Sequence, residues 1–596
     1  MVRRGGRSWR VVALMVALLT TACAGPDHNT PAVPPGNGTG ADGGVGAPDG
    51  GLHGQGPPDG GAGGDGGTTV DPPPDGDAAF LLPPLQTSVP TYAIEVDPAI
   101  LAGFHADPYG PERPAILDDG HTRTPILMRV RGGSSRWYPK KSWRLEFPEG
   151  RGVEGRRKLN LVAEMADRTL MVEKLAFDLM LAMGAPAPRT RYVRLVINGV
   201  DQGPYLDIER VDKAFARAHG FIDDDPSIYR CGEHDCEFKP TPHFAWQGPW
   251  QKETNERTPR DDLDAFLALV NHTPEPDFAG ALEAQFEVEA YLRSMTMDAL
   301  ISNDIVMDSG SYLIRDRSTG RWTYVPWDLN NSAARWWPTY GLSKVAWVER
   351  PVPVYSLFDP RIRHFYDLRG ANHPPGVYRP AYSNLTTRIV LNPRLRARWV
   401  DLLERALDEL FTPEVLHPRI DAMHALLAPL VATDPFALVD TEGRADPDGR
   451  RKFEAGRTYL RNYVSGRRAY LRGRLEDLRT PPPGIVLGAF DPAAGWVDLR
   501  NEASGPRSTA GMRLRLDLRG PDGSGVLMPT VTLAPGASLR LTARQLGLTF
   551  PDRGTIGLFA GPGVEQALDA LFYGPSPRGT VHRRGPEGWE LTDSGR

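Results

Sequence analysis

The segment from Ala24 to Asp77 consists almost entirely of Gly, Pro, Asp and Thr, as in GNGTGADGGVGAPDGGLHGQGPPDGGAGGDGG. It has no hydrophobic periodicity and almost no side chains to bury, so it cannot form a packed core. We therefore predict a disordered tether over residues 24–83, followed by structured sequence from about Pro84. The 596-residue chain is still too long for a single core and predicts roughly two to four domains.

The N-terminus has the features of an export signal. MVRRGGRSWR is basic, VVALMVALLT is a short apolar run, and TTAC places Cys23 after small residues. Because the apolar run is too short to span a membrane, we predict a signal peptide over residues 1–23. The segment resembles a bacterial lipobox, which implies that Cys23 is lipidated and holds the protein at the outer membrane or cell surface. Thr20 stands where Leu is usual, so plain secretion or an uncleaved anchor stays open.

The chain has only three cysteines. If Cys23 carries lipid, Cys231 and Cys236 remain, in YRCGEHDCEFK. Their close spacing in an exported chain predicts a disulfide that closes a small loop. Glu233 and His234 lie between them and leave a zinc site open, although that site lacks a clear fourth strong ligand.

The pattern of apolar residues changes along the chain. Alternating runs such as ILMRVRG and KSWRLEF predict strands, DRTLMVEKLAFDLMLAMG predicts a helix with Asp167 as its N-cap, and VINGVD predicts a hairpin turned at Asn198-Gly199. Leu- and Arg-rich helical sequence occupies Asn392 to Leu478. After RTPPPG, short strands with turn signals predict a separate all-β sandwich over residues 484–596.

The strand in GRWTYVPWDLNNS ends on an acid, Asp328, which Asn330 and Asn331 follow closely. Aromatic and β-branched strands of this kind normally pack against a core. Two interpretations remain open from these residues alone. Asp328 is either an ordinary turn residue that bonds to local backbone, or a metal ligand placed at a strand terminus.

Three motifs occur in order: MRVRGGSSRWYPKKSWRLEF, then KLNLVAEMADRTLMVEKLAFDLMLAMGAPAPRTRYVRLVINGVDQGPYLDIERVD, then NDIVMDSGSYLIRDRSTGRWTYVPWDLNNS. Together they resemble the spore-coat CotH kinase family over about Thr91 to Leu478. The resemblance implies an α+β fold in which residues 84–480 form a two-lobed, atypical protein-kinase-like domain around ATP. The segment from Gly484 resembles a lamin-tail domain, which implies an immunoglobulin-like sandwich.

The resemblance also implies a nucleotide site. A Gly-containing turn lets backbone approach phosphates, and phosphoryl transfer requires positioning and charge neutralisation. Lys141 is favoured over Lys140 as the phosphate-pairing cation, and Glu173 or Glu209 as the acid that pairs with it. Each of these charges also has an ordinary interpretation as a solvated or structural group. The expected nucleotide-binding residues are Arg131, Gly132, Gly133, Ser134, Ser135, Lys140, Lys141, Glu173 and Glu209.

Three further positions follow from the family pattern. Asp328 resembles the magnesium-binding Asp, and Asn330 replaces a second Asp that family members commonly carry. Asp304 matches the catalytic acid that orients the attacking hydroxyl and accepts its proton, and Lys141 is expected to assist catalysis. The family usually has an Asn about five residues after that acid. Here Asp308 and Ser309 stand in this region, which raises the chance of a degenerate site.

The predicted function is an exported, lipid-tethered atypical protein kinase. It would transfer the ATP γ-phosphate to Ser or Thr hydroxyls of an unknown extracytoplasmic protein, with ATP and Mg²⁺ or Mn²⁺ as cofactors. The alternative is a kinase-like surface or coat binding protein that has lost turnover. The formal net charge is −5, and the sequence contains no stripe of basic residues, so nucleic acid is not expected as a partner.

Overall fold

The computed structural model describes residues 79–231, 238, 250–303, 310–333, 383–480, 483–516, 518, 524–560 and 567–594, and all structural statements below concern these residues. They belong to one structural unit, Pro74–Arg596. Helices and strands are both abundant, which confirms the predicted α+β class. Within these ranges, no helix combines the length and the apolar composition that a membrane crossing requires.

The first part of the fold is a closed barrel of seven strands. Its strands pair in the order β1-β2-β3-β4-β5-β7-β6, and a parallel pairing of β6 with β1 closes it. Alternation places every second side chain inside, as in β3, where Ile126, Met128 and Val130 are buried. The strands are β1 Thr91–Glu95, β2 Arg113–Asp118, β3 Arg123–Arg131, β4 Ser142–Glu146, β5 Lys158–Val162, β6 Thr190–Ile197 and β7 Val200–Ile208.

Two helices interrupt the barrel strands: α1 (Pro98–Ala106) follows β1, and α2 (Val172–Ala182) follows β5. The prediction that Asp167 is the N-cap of α2 is wrong in position. Leu170 has a left-handed backbone (φ 59°), which keeps the preceding residues out of the helix. The Asp167 carboxylate nevertheless accepts the N–H groups of Met171 and Val172 at 3.1 Å, so it still caps the helix.

The predicted hairpin between β6 and β7 is present. Asn198 and Gly199 both have positive φ, 50° and 78°, as a two-residue turn of this kind requires. Gly203, further along β7, also has positive φ, and a Cβ there would lie 2.4 Å from the Asp434 side chain. The barrel wall therefore lies directly against the segment that contains Asp434.

A second, antiparallel sheet has the order β11-β10-β8-β9. The predicted strand pair SYLIRD/GRWTYVPWD is confirmed as β10 and β11, which are paired from Ser311–Pro326 to Arg315–Trp322. The strands are β8 Ser227–Cys231, β9 Trp250–Lys252, β10 Ser311–Arg315 and β11 Trp322–Pro326, and the helices around them are α3 Lys213–Ala218, α4 Asp261–His272, α5 Glu275–Gln285 and α6 Val288–Ile301.

The predicted helical region after Asn392 is also confirmed, and it begins slightly earlier. These helices share one continuous hydrophobic core with α2 and the second sheet, whereas the barrel interior forms a separate core. The helices are α7 Asn384–Leu391, α8 Pro393–Glu409, α9 Pro413–Thr433, α10 Gly449–Arg472 and α11 Leu475–Arg479, with a 3-10 turn at Pro435–Leu438.

The residues after Pro483 form strands with a hydrophobic core of their own. A five-stranded sheet has the order β18-β13-β12-β21-β22, a four-stranded sheet has the order β16-β15-β19-β20, and β14 pairs with β17. The elements are β12 Ile485–Asp491, β13 Trp496–Asn501, β14 Arg507–Ser508, β15 Arg513–Arg515, β16 Val526–Leu527, β17 Thr532–Leu533, β18 Ser538–Thr542, α12 Ala543–Leu546, β19 Gly554–Phe559, β20 Ala567–Tyr573, β21 Thr580–Gly585 and β22 Gly588–Asp593.

The start of the folded region lies slightly before Pro84. The Leu81 N–H donates to the Ala182 carbonyl at 3.2 Å, and the Arg405 guanidinium lies 4.5 Å from the centre of the Phe80 ring. Residues 79–83, which the composition predicts to be part of the tether, are therefore attached to α2 and α8.

Candidate functional site

Asp328 follows β11 at the point where the strand turns away from its sheet. It has a left-handed backbone (φ 60°, ψ 52°) and opens a 3-10 turn at Leu329–Asn331. Its side chain makes no capping hydrogen bond to that turn. Asp tolerates this conformation at modest cost. The residue therefore lies in a turn, but its side chain does not make the local backbone bond that the ordinary turn interpretation expects. The carboxylate is half-buried and is not used by the turn itself.

Glu173, in the first turn of α2, connects that helix to the 3-10 turn that follows Asp328. It is 3% exposed, and its Oε1 accepts the Leu329 N–H at 3.1 Å. Burial, together with the nearby Asp328, raises the pKa of Glu173 to about 7, and a hydrogen bond with Glu164 and the charge of Arg131 oppose this shift. Glu173 and Asp328, which the sequence analysis assigns to one site, therefore lie together.

A second glutamate, Glu164, lies beside Glu173. It follows β5, has a left-handed backbone (φ 47°) and is 7% exposed. Burial raises its pKa well above the usual range, and the adjoining Glu173 carboxyl raises it further. Two carboxyl groups in contact cannot easily both be ionised, so each of them raises the pKa at which the pair loses its protons.

Two arginines supply positive charge to this group of acids. Arg131 ends β3, and its guanidinium lies 5.7 Å from the centre of the Trp327 ring. The charge of Arg230, on β8, also acts on Asp328. Burial raises the pKa of Asp328, and both arginines oppose that shift. Arg131, Glu173 and Asp328 thus come from three separate segments and meet at one place.

The predicted glycine-containing turn follows Arg131 directly. Gly132 has φ 116°, and a Cβ there would lie 2.3 Å from the Ser135 Oγ, so a larger residue would not fit without rearrangement. A 3-10 turn at Ser134–Trp137 continues the loop, and the Ser134 side chain lies outside the described part of the structure. Gly133 has open space around its Cα, which allows a ligand to approach the backbone.

Lys141 stabilises this loop. Its Nζ donates to the Arg136 carbonyl at 2.6 Å, and the Arg136 Nε donates in turn to the Gly132 carbonyl at 2.5 Å. Burial lowers the pKa of Lys141. Burial and the Lys141 charge lower the pKa of His105 in α1. The ammonium group of Lys141 thus bonds the loop rather than Glu173 among the described residues.

Lys140 and Glu209 lie in other surroundings. The Lys140 Nζ donates to Asp434 Oδ2 at 2.8 Å and to the Pro204 carbonyl at 2.9 Å, and this ion pair is almost fully buried. Glu209 accepts hydrogen bonds from Arg189 and lies 3.0 Å from His219 Nε2. The structure therefore does not bring these two charges to Asp328.

The predicted catalytic acid, Asp304, lies outside the described residues, as do Asp308 and Ser309. The helix that leads to it, α6, ends at Ile301, and Ser302 follows in a left-handed conformation. The Asn303 amide donates to the buried Asp298 carboxylate at 2.8 Å. Burial raises the pKa of Asp298 to about 7.

The cysteine predictions and the tether also fall largely outside the described part of the chain. Cys23 and Cys236 are not described. Cys231 is buried at the end of β8, opposite Ser311. The Cys231–Cys236 disulfide therefore stays a prediction.

Sequence reasoning missed Glu164, Arg230 and Asp298. Glu164 carries a weak signal, because it is a lone acid in the otherwise apolar stretch LVAEMA that follows β5. Arg230 and Asp298 carry no comparable signal, since each lies in an ordinary strand or helix pattern.

The donor set fits a cation only in combination with a ligand. Within the described ranges, no group of three or more His, Cys, Asp or Glu side chains is arranged to hold a metal ion. Glu164 and Glu173 nevertheless include buried carboxyl oxygens that no described N–H or hydroxyl group satisfies. Mg²⁺ often takes only one or two carboxylates and completes its shell with phosphate oxygens. The half-buried Asp328, with the Asn330 amide two residues later, can provide such a partial ligand set.

Known proteins resemble this chain over the barrel and the helical region. A family model described as CotH kinase protein matches residues 128–471. Inner spore coat protein H of Bacillus subtilis strain 168 is 25% identical over 405 residues, which cover 66% of this chain and 99% of that protein. The inner spore coat protein H-like protein of the same organism is 23% identical over 316 residues, which cover 52% of this chain and 80% of that protein.

Proposed function

Since the chain belongs to the CotH kinase protein family, we propose that it is an exported, lipid-tethered atypical protein kinase. It transfers the γ-phosphate of ATP to Ser or Thr hydroxyls of extracytoplasmic proteins and uses Mg²⁺ or Mn²⁺. The observation that carries the proposal is the meeting of Arg131, Glu173 and Asp328 where the barrel contacts the helical region. In this proposal the barrel and the helical region are the two lobes of a kinase-like domain.

The proposed roles follow from the position of each group. Asp328, with Asn330 as a weaker oxygen ligand, holds the cation that neutralises phosphate charge when it is bound. The turn at Gly132 and Gly133 lets backbone approach the phosphates. Arg131 stacks over Trp327 and lies in the electrostatic field of Glu173 and Asp328, and its guanidinium binds phosphate oxygens when nucleotide is present.

The remaining predicted residues have catalytic or structural roles. Asp304 orients the acceptor hydroxyl and takes its proton. Lys141, which bonds the Arg136 carbonyl, holds the phosphate-binding loop in shape and reaches a phosphate only if that bond is released. Glu173 fixes the Asp328 turn through the Leu329 N–H.

Nucleotide titration of the exported chain, with and without Mg²⁺ or Mn²⁺, tests the proposal alongside transfer of labelled phosphate. Asp328→Ala is expected to abolish metal-dependent binding of ATP. Asp304→Ala is expected to keep binding and lose transfer, because it acts on the transition state. If Asp328→Ala binds ATP–Mg²⁺ as the parent does, Asp328 is only a turn residue.

The second candidate function is a surface or coat binding protein that has lost turnover. Two observations favour it: Asn330 replaces an acid, and the ammonium group of Lys140 is occupied by Asp434. A parent protein that binds nucleotide and transfers phosphate to no acceptor, itself included, would support this alternative over the kinase.

The proposed location is the cell envelope or coat, in keeping with its similarity to the two spore-coat relatives. Lipidation of Cys23 is the proposed means of attachment. Cys23→Ser should be exported and lose partitioning into the detergent phase, and unchanged partitioning would contradict the lipid anchor. The sheets after Pro483 are proposed to form an immunoglobulin-like sandwich of the lamin-tail kind that serves binding or architecture.

A further inference from the structure

Two aromatic side chains are exposed beside the glycine-containing turn. Trp137 is 55% exposed and Tyr109 is 44% exposed, whereas the other Phe, Tyr and Trp residues of the described ranges are buried or partly buried. The two exposed rings lie next to each other, with 6.1 Å between their centres. Single apolar residues are common on protein surfaces, but a cluster of exposed aromatic rings is a feature of binding surfaces. Packing of the core therefore does not explain this pair.

Both rings are held in place by their own segments. Tyr109 follows the buried Pro108, and its N–H donates to the Asp107 carboxylate at 3.0 Å. Trp137 ends the 3-10 turn Ser134–Trp137, directly after the two glycines of the loop. Because an aromatic side chain has few rotatable bonds, a pair fixed in this way loses little conformational entropy when it binds a ligand.

Arg136 connects the aromatic pair to the loop that is proposed to bind phosphate. Its guanidinium lies 4.7 Å from the centre of the Tyr109 ring, and its Nε donates to the Gly132 carbonyl at 2.5 Å. Its own carbonyl accepts the Lys141 ammonium group. A ligand that contacts the two rings therefore binds beside the phosphate-binding loop, where an acceptor hydroxyl has to arrive.

The shape of the pair favours one kind of ligand. The planes of the two rings are inclined to each other by 55°, so they form an open V and not a parallel slot. A flat purine base can stack on only one ring of such a pair and leaves the other exposed. A puckered proline ring can contact both, and aromatic-lined grooves bind proline-rich segments in this manner.

We propose that Trp137 and Tyr109 form a docking surface for the acceptor polypeptide, which binds an extended, proline-containing segment next to the hydroxyl that is phosphorylated. This inference rests on the proposed function and adds to it the class of acceptor sequence. A polyproline II segment is already extended and has no internal hydrogen bonds to break, so it loses little freedom on binding. A surface of two rings can therefore bind it.

The test uses the full-length exported chain and two fluorescein-labelled peptides. In one peptide two prolines flank a central serine on each side, and in the other every proline is replaced by alanine. Fluorescence anisotropy measures peptide binding, and calorimetry measures binding of ATP–Mg²⁺. The variants are Trp137→Ala, Trp137→Phe and Tyr109→Ala. Trp496→Ala is the control, because Trp496 is a partly exposed tryptophan of the C-terminal sheets that also lies against an arginine, with the Arg540 guanidinium 3.6 Å from its ring centre.

The parent is expected to bind the proline peptide at least tenfold more tightly than the alanine peptide. Trp137→Ala and Tyr109→Ala should each weaken binding of the proline peptide at least tenfold, Trp137→Phe should weaken it less because a ring remains, and Trp496→Ala should leave it unchanged. Affinity for ATP–Mg²⁺ should stay within twofold of the parent in all four variants.

Three results would contradict the proposal in different ways. A parent that binds neither peptide, or both equally, overturns the docking surface. Loss of ATP–Mg²⁺ affinity in Trp137→Ala also overturns it and assigns this ring to the nucleotide. A parent that binds the proline peptide through Trp137 but does not bind ATP–Mg²⁺ contradicts the kinase function and supports the recognition of proline by these rings.

Discussion

At the scale of single residues, Lys140 and Lys141 show how adjacent side chains of one type acquire different roles. Both lie just before β4, and the sequence alone cannot say which of them points inward. In the structure, Lys140 donates hydrogen bonds to Asp434 and to the Pro204 carbonyl, which are distant in the sequence. Lys141 instead donates to the Arg136 carbonyl, in the loop just before it. The difference predicts separable effects of replacing each of them.

Lys140→Met is expected to lower the free energy of unfolding by about 3 to 5 kcal/mol, because it leaves the buried Asp434 carboxylate without its partner. Lys141→Met is expected to cost less, about 1 to 2 kcal/mol, because it loses one hydrogen bond to a carbonyl. Urea unfolding measures both. The double variant Lys140→Met/Asp434→Asn should recover part of the lost stability. If Lys140→Met instead leaves stability unchanged and abolishes ATP binding, Lys140 contacts the phosphates and not Asp434.

Glu209 provides a prediction of pH dependence. Burial acts to raise its pKa, but hydrogen bonds with His219 and Arg189 outweigh this effect and lower the pKa from 4.5 to about 2. Because the folded-state pKa is below the unfolded value, the carboxylate stabilises the fold above about pH 5, and this contribution is lost as the pH falls towards 2. Its full size is on the order of 3 kcal/mol.

The Glu209 prediction is checked by urea unfolding of the parent and Glu209→Gln between pH 2 and pH 6. The gap in stability between the two proteins should widen as the pH rises through this range. A gap that is constant across the range would show that the carboxylate is not held in its charged form by His219 and Arg189.

At the scale of elements, the sequence predicts strands, helices and turns well where the signal is local. The β6–β7 turn depends on Asn198-Gly199, and the β10–β11 pair depends on alternating residues on both sides of a Gly-containing turn, so both are correctly predicted. The candidate site is predicted only in part. Asp328, Glu173 and Glu164 lie in motifs, but the meeting of the two glutamates with Asp328 and Arg230 depends on the packing of three distant segments, which no local pattern contains.

Helix α10 holds the C-terminal end of α6 by hydrogen bonds that the sequence does not predict. One face of α10 presents three polar side chains at helical spacing: Tyr459, Tyr463 and Arg467. Tyr459 donates to the Ala333 carbonyl at 2.9 Å, Tyr463 to Leu300 at 3.0 Å, and Arg467 to Ala299 at 2.7 Å. This face therefore binds the carbonyls that close α6, just before Asp304, and a carbonyl just after the Asp328 turn.

Arg467→Met is expected to destabilise the protein by about 2 to 3 kcal/mol, because a fully buried guanidinium bonded to the carbonyl end of a helix is lost. Hydrogen exchange at the end of α6 should also become faster. Arg468→Met is the matched control, since its neighbouring guanidinium is more exposed and bonds the Leu407 carbonyl instead. Equal effects of the two substitutions on α6 would contradict a specific role for Arg467.

At the scale of the whole molecule, the C-terminal sheets have their own core but also contact the helical region. The fully buried Arg388 guanidinium pairs with Glu275 at 3.0 Å and lies 4.8 Å from the centre of the Phe572 ring. The Phe572 backbone also donates a hydrogen bond to Glu275. A Cβ on Gly574 would lie 3.0 Å from Pro274, so the two surfaces fit closely.

A chain that ends at Thr480 is therefore expected to keep its nucleotide affinity and to lose stability. The Asp328 and Glu173 groups are held by the barrel, α2 and β11, none of which the truncation removes. The truncation does expose Arg388, Glu275 and the apolar surface that Phe572 covers, so the free energy of unfolding should fall by about 1 to 2 kcal/mol. Urea unfolding and calorimetric titration with ATP–Mg²⁺ measure the two quantities on the same samples. Loss of ATP binding at unchanged stability would mean that the C-terminal sheets contribute to the site, whereas unchanged values for both would mean that the contact at Arg388 is energetically neutral.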